Sequence, residues 1–310
     1  MVLHKSSGRW QLGIGLALVT AVLWGMLPIA LKLLLQQGDA LTISWLRFLA
    51  SGLILVGFHL QQRRGGELLD LLRTGGRTRL LLWLGVLGLT GNYVFYLFGL
   101  ALVPPAAAQV LIQLAPLSML LGGLWIFRET FGLSQWLGLV LVLAGQALFF
   151  LPGLLAGVGA RMSVFGLFLI VLAALVWAVY ALAQKQLLAR WPSPLVMCLI
   201  YLLCALILLP ASKPASLATL DPLGIGLLLF TVFNTLVAYG AFAEALNHVE
   251  ASRVSLVLAI TPLLTIGFVH LGSVLFPSRI DSNHLPLIAI AGAVLVVAGS
   301  ALSAVRRRGV

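Results

Sequence analysis

Three ionisable side chains, Lys32, Arg47 and Glu244, sit inside long apolar runs of this 310-residue chain. A charge in hydrocarbon costs on the order of 3 kcal/mol on insertion scales, so each must face protein, water or a ligand. Lys32 fits two roles, snorkelling to the outer headgroups or meeting a charge on a solute. The guanidinium of Arg47 can hold a carboxylate through two parallel N–H bonds, or tie its helix to a neighbouring carbonyl. Glu244 could exchange a proton for solute. It could equally pair with Arg253 or Lys185, or sit hydrated beside Asn247 and His248.

Uncharged polar residues form a second group. Gln109, Gln113 and Pro116 recur at i, i+4 and i+7, which places them on one face of a helix. Two amides facing lipid would leave several donors and acceptors bare, so this stripe is expected to line a cavity or a helix contact. Asn92 and Tyr93 lie at similar depth, with Tyr96 one turn outward, and Asn234, Tyr239, Ser255 and Thr261 match them further along the chain. Trp24, Trp177 and Tyr180 are central rather than interfacial, so an aromatic belt does not explain them. They suit an apolar wall for a solute or ordinary helix packing. Pro28, Pro116 and Pro262 free backbone carbonyls and permit bending.

These residues must be carried by membrane-spanning helices. Only 9% of the chain is charged and 61% is hydrophobic, against about a quarter and half in a soluble domain. Such a chain cannot cover a water-facing surface. A crossing needs about 20 apolar helical residues, and ten stretches qualify: about 11–35, 41–60, 80–102, 105–127, 134–151, 163–186, 194–211, 222–246, 251–275 and 285–305. Barrel strands would alternate over short segments instead. The first stretch is too long for a signal-peptide core and lacks a cleavage site, so it reads as a transmembrane helix. The polar stretch Gln61 to Arg79 reads as a linker, with the Leu-rich piece Glu67 to Leu72 as a candidate surface helix.

Basic residues orient the helices. With the N-terminus in the cytoplasm, 14 of the 19 Lys and Arg fall inside and three outside (Arg161, Lys213, Arg279), leaving Lys32 and Arg47 within helices. The positive-inside rule then puts both termini in the cytoplasm. The net charge of +11 is therefore topological and does not argue for nucleic acid. Cys198 and Cys204 share one apolar segment and offer neither a disulfide framework nor a metal site.

The chain repeats itself. Residues 17–36 align with 169–188, Trp24 falling on Trp177 and Lys32 on Lys185. Residues 91–117 align with 237–263, pairing Tyr93 with Tyr239 and Pro116 with Pro262, and 138–148 matches 292–302. Each copy holds five helices, an odd number, so the second enters the membrane from the opposite side. Inverted repeats of this kind are a common build for secondary transporters, with substrate near the midplane.

In these features the sequence resembles the EamA-type members of the drug/metabolite transporter superfamily. The resemblance covers about residues 12–305 and rests on Trp24-Gly25, Arg47-Phe48, the segment PAAAQVLIQLAPL, Arg128-Glu129 and the Leu-Ala-Gly of the fifth helix. It implies a carrier of two five-helix repeats, 1–151 and 152–310, working by alternating access on small organic solutes such as amino acids, often exported. One departure stands out: the position equivalent to Glu129 is Leu275, so a symmetric role for that Glu is in doubt.

The expectation is an all-α membrane protein of ten transmembrane helices, in a bacterial cytoplasmic membrane, as monomer or homodimer. Its partners are a small-molecule solute and lipid, with no cofactor, metal or nucleic acid. No HExxH, GxSxG, phosphate-binding loop or carboxylate pair supports an enzyme. Lys32 and Arg47 as the charges of the outer half favour a zwitterionic, neutral or anionic solute. A passive channel-like facilitator and a non-transporting receptor or scaffold are the alternatives.

Overall fold

The computed structural model describes residues 9–62, 65–127, 132–155, 163–188, 190–248, 254, 257–280 and 285–304. Every element among them is helical. We label them α1 (Trp10–Leu34), α2 (Ala40–Gln61), α3 (Gly65–Arg73), α4 (Gly76–Leu102), α5 (Pro105–Leu111), α6 (Leu114–Phe127), α7 (Leu133–Leu155), α8 (Val164–Leu187), α9 (Ser193–Leu208), α10 (Pro222–His248), α11 (Thr261–Leu275) and α12 (Leu287–Ala304). Two 3₁₀ turns, Leu209–Ala211 and Pro214–Thr219, join α9 to α10.

The helix ends follow from their sequences. Asp39 Oδ1 accepts the N–H of Thr42 at 2.9 Å to cap α2, and Ser163 Oγ accepts that of Gly166 at 3.2 Å to cap α8. Asp221 Oδ1 accepts the N–H of Gly224 at 2.6 Å at the start of α10, a bond that holds this carboxyl below its ordinary range. Pro104 and Pro105 close α4 and open α5, since proline suits a first helical turn and not an interior.

Seven helices among the described residues are long and apolar enough to cross a membrane: α1, α2, α4, and most or all of α7, α8, α9 and α10. Two shorter apolar helices follow them, α11 and the greater part of α12. Leu53, Ile54 and Phe58 of α2, Leu175 and Val179 of α8 and Leu229 and Phe233 of α10 all point outward. A soluble monomer does not expose apolar surface on this scale. The chain is an integral, multi-pass membrane protein.

Three details depart from the sequence reading. The expected helix over 105–127 is broken at Ile112 and Gln113, between α5 and α6. Pro116 has no N–H for the Ile112 carbonyl, which takes the N–H of Ala115 at 2.8 Å instead and tightens the turn. The piece at 67–72 is not a plain linker. It forms α3, which packs on α2 and α9 with Leu71 fully buried. Within the expected 251–275 stretch, the continuous described helix begins only at Thr261.

Packing respects an exchange of the two halves. Swapping α1 with α8, α2 with α9, α4 with α10, α6 with α11 and α7 with α12 turns the α1–α10 contact into α8–α4, and α1–α11 into α8–α6. The α2–α9 and α7–α12 contacts map onto themselves. Glycine makes the tightest of these contacts possible. A Cβ on Gly145 would lie 2.7 Å from the Gly292 carbonyl oxygen, and one on Gly292 would lie 2.5 Å from the Phe149 nitrogen. Backbone cannot step aside as a side chain can. We therefore expect Gly145→Ala and Gly292→Ala each to cost about 1–3 kcal/mol, read as a lower melting temperature in detergent. Gly15→Ala, whose Cβ would meet nothing within 4 Å, serves as control and should melt no lower than the parent; equal losses at all three positions would remove the close-approach argument.

Candidate functional site

Arg47 lies on α2 and is only 2% exposed. Its Nε donates to Thr235 Oγ1 of α10 at 3.2 Å, and Nη2 lies 3.5 Å from the Tyr93 hydroxyl of α4. The guanidinium carbon sits 4.5 Å from the centroid of the Tyr93 ring, within cation–π range. No carboxylate among the described residues pairs with it. A guanidinium carries five N–H donors, so this buried cation is under-used by its own protein.

Around it gather all the tyrosines of the chain. Tyr96, Tyr201 and Tyr239 lie close enough to feel the charge of Arg47, and Tyr180 is electrostatically coupled to Tyr93. Tyr93 stacks on Phe48 at 4.2 Å between centroids, and Phe48 meets Tyr201 at 5.9 Å. The Trp24 ring meets Tyr239 edge-on at 5.4 Å and Phe242 at 5.8 Å. Trp177 lies beside Tyr239 and 6.3 Å from Tyr180. Six helices, α1, α2, α4, α8, α9 and α10, thus contribute to one aromatic cluster that, among the described residues, holds a single charge. Tyr93, Tyr180 and Tyr201 are buried, while Tyr96, Tyr239, Trp24 and Trp177 are partly so.

Other expected site residues are spent on the fold. Lys32 Nζ donates to the carbonyls of Leu100, Ala101 and Val103 at 2.7, 2.7 and 3.1 Å, so it caps the end of α4 instead of snorkelling. Asn92 Nδ2 donates to the Ala173 carbonyl at 3.0 Å and ties α4 to α8. Asn234 Nδ2 donates to the Leu23 carbonyl at 2.7 Å and ties α10 to α1. The Tyr180 hydroxyl lies 3.3 Å from Met197 Sδ. Glu244 stands outside the cluster near the end of α10, its side chain 53% exposed and paired with His248 at 3.0 Å.

Gln109 and Gln113 are buried, Gln109 on α5 and Gln113 in the break after it, while Pro116 is exposed. The three therefore do not form one stripe. Ser255, Arg128 and Glu129 lie outside the described residues. Four members of the cluster were not read from the sequence as site residues: Thr235, Phe48, Tyr201 and Phe242. Phe48 left a signal as part of the Arg47-Phe48 motif, and Tyr201 as the single tyrosine of an otherwise apolar α9.

Known proteins resemble the chain along its whole length. It is 36% identical over 297 residues to an uncharacterized transporter of Haemophilus influenzae, covering 95% of each chain. It is 37% identical over 306 residues to the uncharacterized inner membrane transporter YhbE of Escherichia coli K12, covering 97% of this chain and 94% of the relative. A probable amino-acid metabolite efflux pump of Salmonella typhimurium is 28% identical over 297 residues, 92% of each chain. A solved crystal structure superposes with a TM-score of 0.62 at 20% identity over 96% of both chains, which shows a shared fold. The EamA-like transporter family profile matches twice, over residues 11–151 and 164–305. The chain belongs to the EamA-like transporter family.

Proposed function

We propose that this protein is a secondary transporter that moves a small polar or amphipathic metabolite, an amino acid or related compound, out of the cell by alternating access. In this reading ten helices cross a bacterial inner membrane with both termini in the cytoplasm. The halves 1–151 and 152–310 form two inverted five-helix repeats that rock around a solute at their junction. The single observation that carries the reading is the cluster around Arg47. Both halves build it, away from the ends of every contributing helix, from aromatic and hydroxyl groups that pack against one another.

Such a centre suits a carrier. Aromatic rings bind the body of an amphipathic solute, and phenols and Thr235 orient its polar end. A channel needs a continuous polar path, whereas the groups around Arg47 are largely aromatic. The name of the Salmonella relative supports an amino-acid metabolite as cargo and efflux as direction, and that of the Escherichia coli relative supports the inner membrane.

Proteoliposomes test the reading. Preloading with a candidate solute should give saturable counterflow of labelled solute, whereas a passive facilitator would equilibrate without it and a receptor would move nothing. Trp177→Ala and Tyr239→Ala should each cut counterflow by about tenfold, equivalent to about 1.4 kcal/mol of lost solute contact. Lys32→Met should do the reverse, lowering the melting temperature by removal of an α4 cap worth about 1–3 kcal/mol while flux per folded molecule is kept. Normal counterflow in both aromatic variants would place the solute elsewhere.

A further inference from the structure

Arg47 and the composition of its surroundings point, within the proposed function, to a related compound that carries the acid group of an amino acid without its amine. We infer that the cluster is a binding site for an organic carboxylate with an apolar or aromatic body and no ammonium group, held by the Arg47 guanidinium. The inference rests on the transporter reading for its meaning, though not for its geometry.

The argument is one of missing partners. A cation taken out of water is costly even after relaxation, and an ion pair recovers that only with good geometry. The Tyr93 face returns part of the cost, Thr235 accepts one N–H, and the Tyr93 hydroxyl lies 3.5 Å from another. Among the described residues the other groups of the cluster are phenols, phenyl rings and the indoles of Trp24 and Trp177, all uncharged. Arginine does not escape by losing its proton. The charge therefore awaits an anion that arrives with the solute, and the fork of its N–H groups matches a carboxylate.

The same inventory argues against a zwitterion. An α-ammonium would need a carboxylate or several carbonyls in the cluster. Glu244 is turned to the exposed end of α10 and paired with His248, and Lys32 is another cation. Cation–π contact with Trp24 or Trp177 is open to an ammonium, but Arg47 repels it at short range in a medium of low dielectric. Trp24, Phe242 and Trp177 are left to receive the apolar body.

A matched series on purified full-length protein decides the point by calorimetry. The probes are 3-phenylpropionate, phenylalanine, phenethylamine and phenyl phosphate, which share a ring and differ in charge. We expect 3-phenylpropionate to bind at least about tenfold tighter than the other three, a difference of about 1.4 kcal/mol. Arg47→Gln should remove that preference, and Arg47→Lys should retain part of it, because charge remains while the fork is lost. Phenethylamine or phenylalanine binding as tightly, or Arg47→Gln leaving the preference intact, would overturn the inference. A tenfold advantage for phenyl phosphate would overturn the carboxylate assignment in favour of phosphorylated cargo. The probe series on the unaltered protein stands alone should Arg47→Gln not fold. Counterflow of uncharged or cationic solutes without acid binding would sink this inference and spare the transporter reading. Acid binding without flux of any solute would do the opposite.

Discussion

Inside hydrocarbon no water stands ready to satisfy a carbonyl, an N–H or a charge, and this one constraint orders the structure. A proline leaves the carbonyl four residues before it without its usual N–H. Pro116 leaves the Ile112 carbonyl to the Ala115 N–H. Pro262, its counterpart in the second half, leaves the Leu258 carbonyl to the Thr261 hydroxyl at 2.6 Å. In α1, the helix that contains Pro28, the carbonyls of Leu23 and Gly25 receive Asn234 Nδ2 and Thr265 Oγ1 from other helices.

The same constraint sorts polar residues by role. Lys32, Asn92, Asn234 and Thr265 have donors committed to backbone, and removing one would strand a carbonyl. Their place is in the scaffold. Arg47 and the tyrosines around it are the remainder: buried or partly buried, and bonded to side chains, Arg47 to Thr235 and Tyr93, and Tyr180 to Met197, not to helix carbonyls. A group that satisfies a helix carbonyl cannot release it for a solute at low cost. One held by a marginal 3.5 Å contact to a phenol can. Sorting by partner therefore separates site from scaffold better than sorting by residue type.

That also explains what the sequence could reveal. The long apolar helices were legible, because a bilayer demands about 20 apolar residues whatever the packing. The internal repeat was legible because Trp24, Tyr93 and Pro116 recur in order. Arg47 and most of the aromatic cluster were legible as misfits in apolar runs. The cap made by Lys32 was not, since its three carbonyls lie near residue 100, brought close only by the packing of α1 on α4. Nor was the break at Ile112, because Pro116 acts four residues upstream of itself. Thr235 looked like any helical threonine until α2 placed Arg47 beside it.

The repeat is faithful in its aromatics and unfaithful in its charge. Trp24 and Trp177, and Tyr93 and Tyr239, exchange when the halves exchange. Arg47 has no such partner: α9, the helix that would supply one, carries no charged residue and packs against α2 at the site. A perfectly symmetric centre would offer two equivalent half-sites and accept a solute in either orientation. One guanidinium on one side of the exchange axis removes that degeneracy. In the carrier proposed above, an anion bound at Arg47 would place its charged end toward α2 and α4, leaving its body to Trp24, Phe242 and Trp177. Two matched halves would then serve as the two gates of alternating access, and the one unmatched charge at residue 47 would orient the cargo.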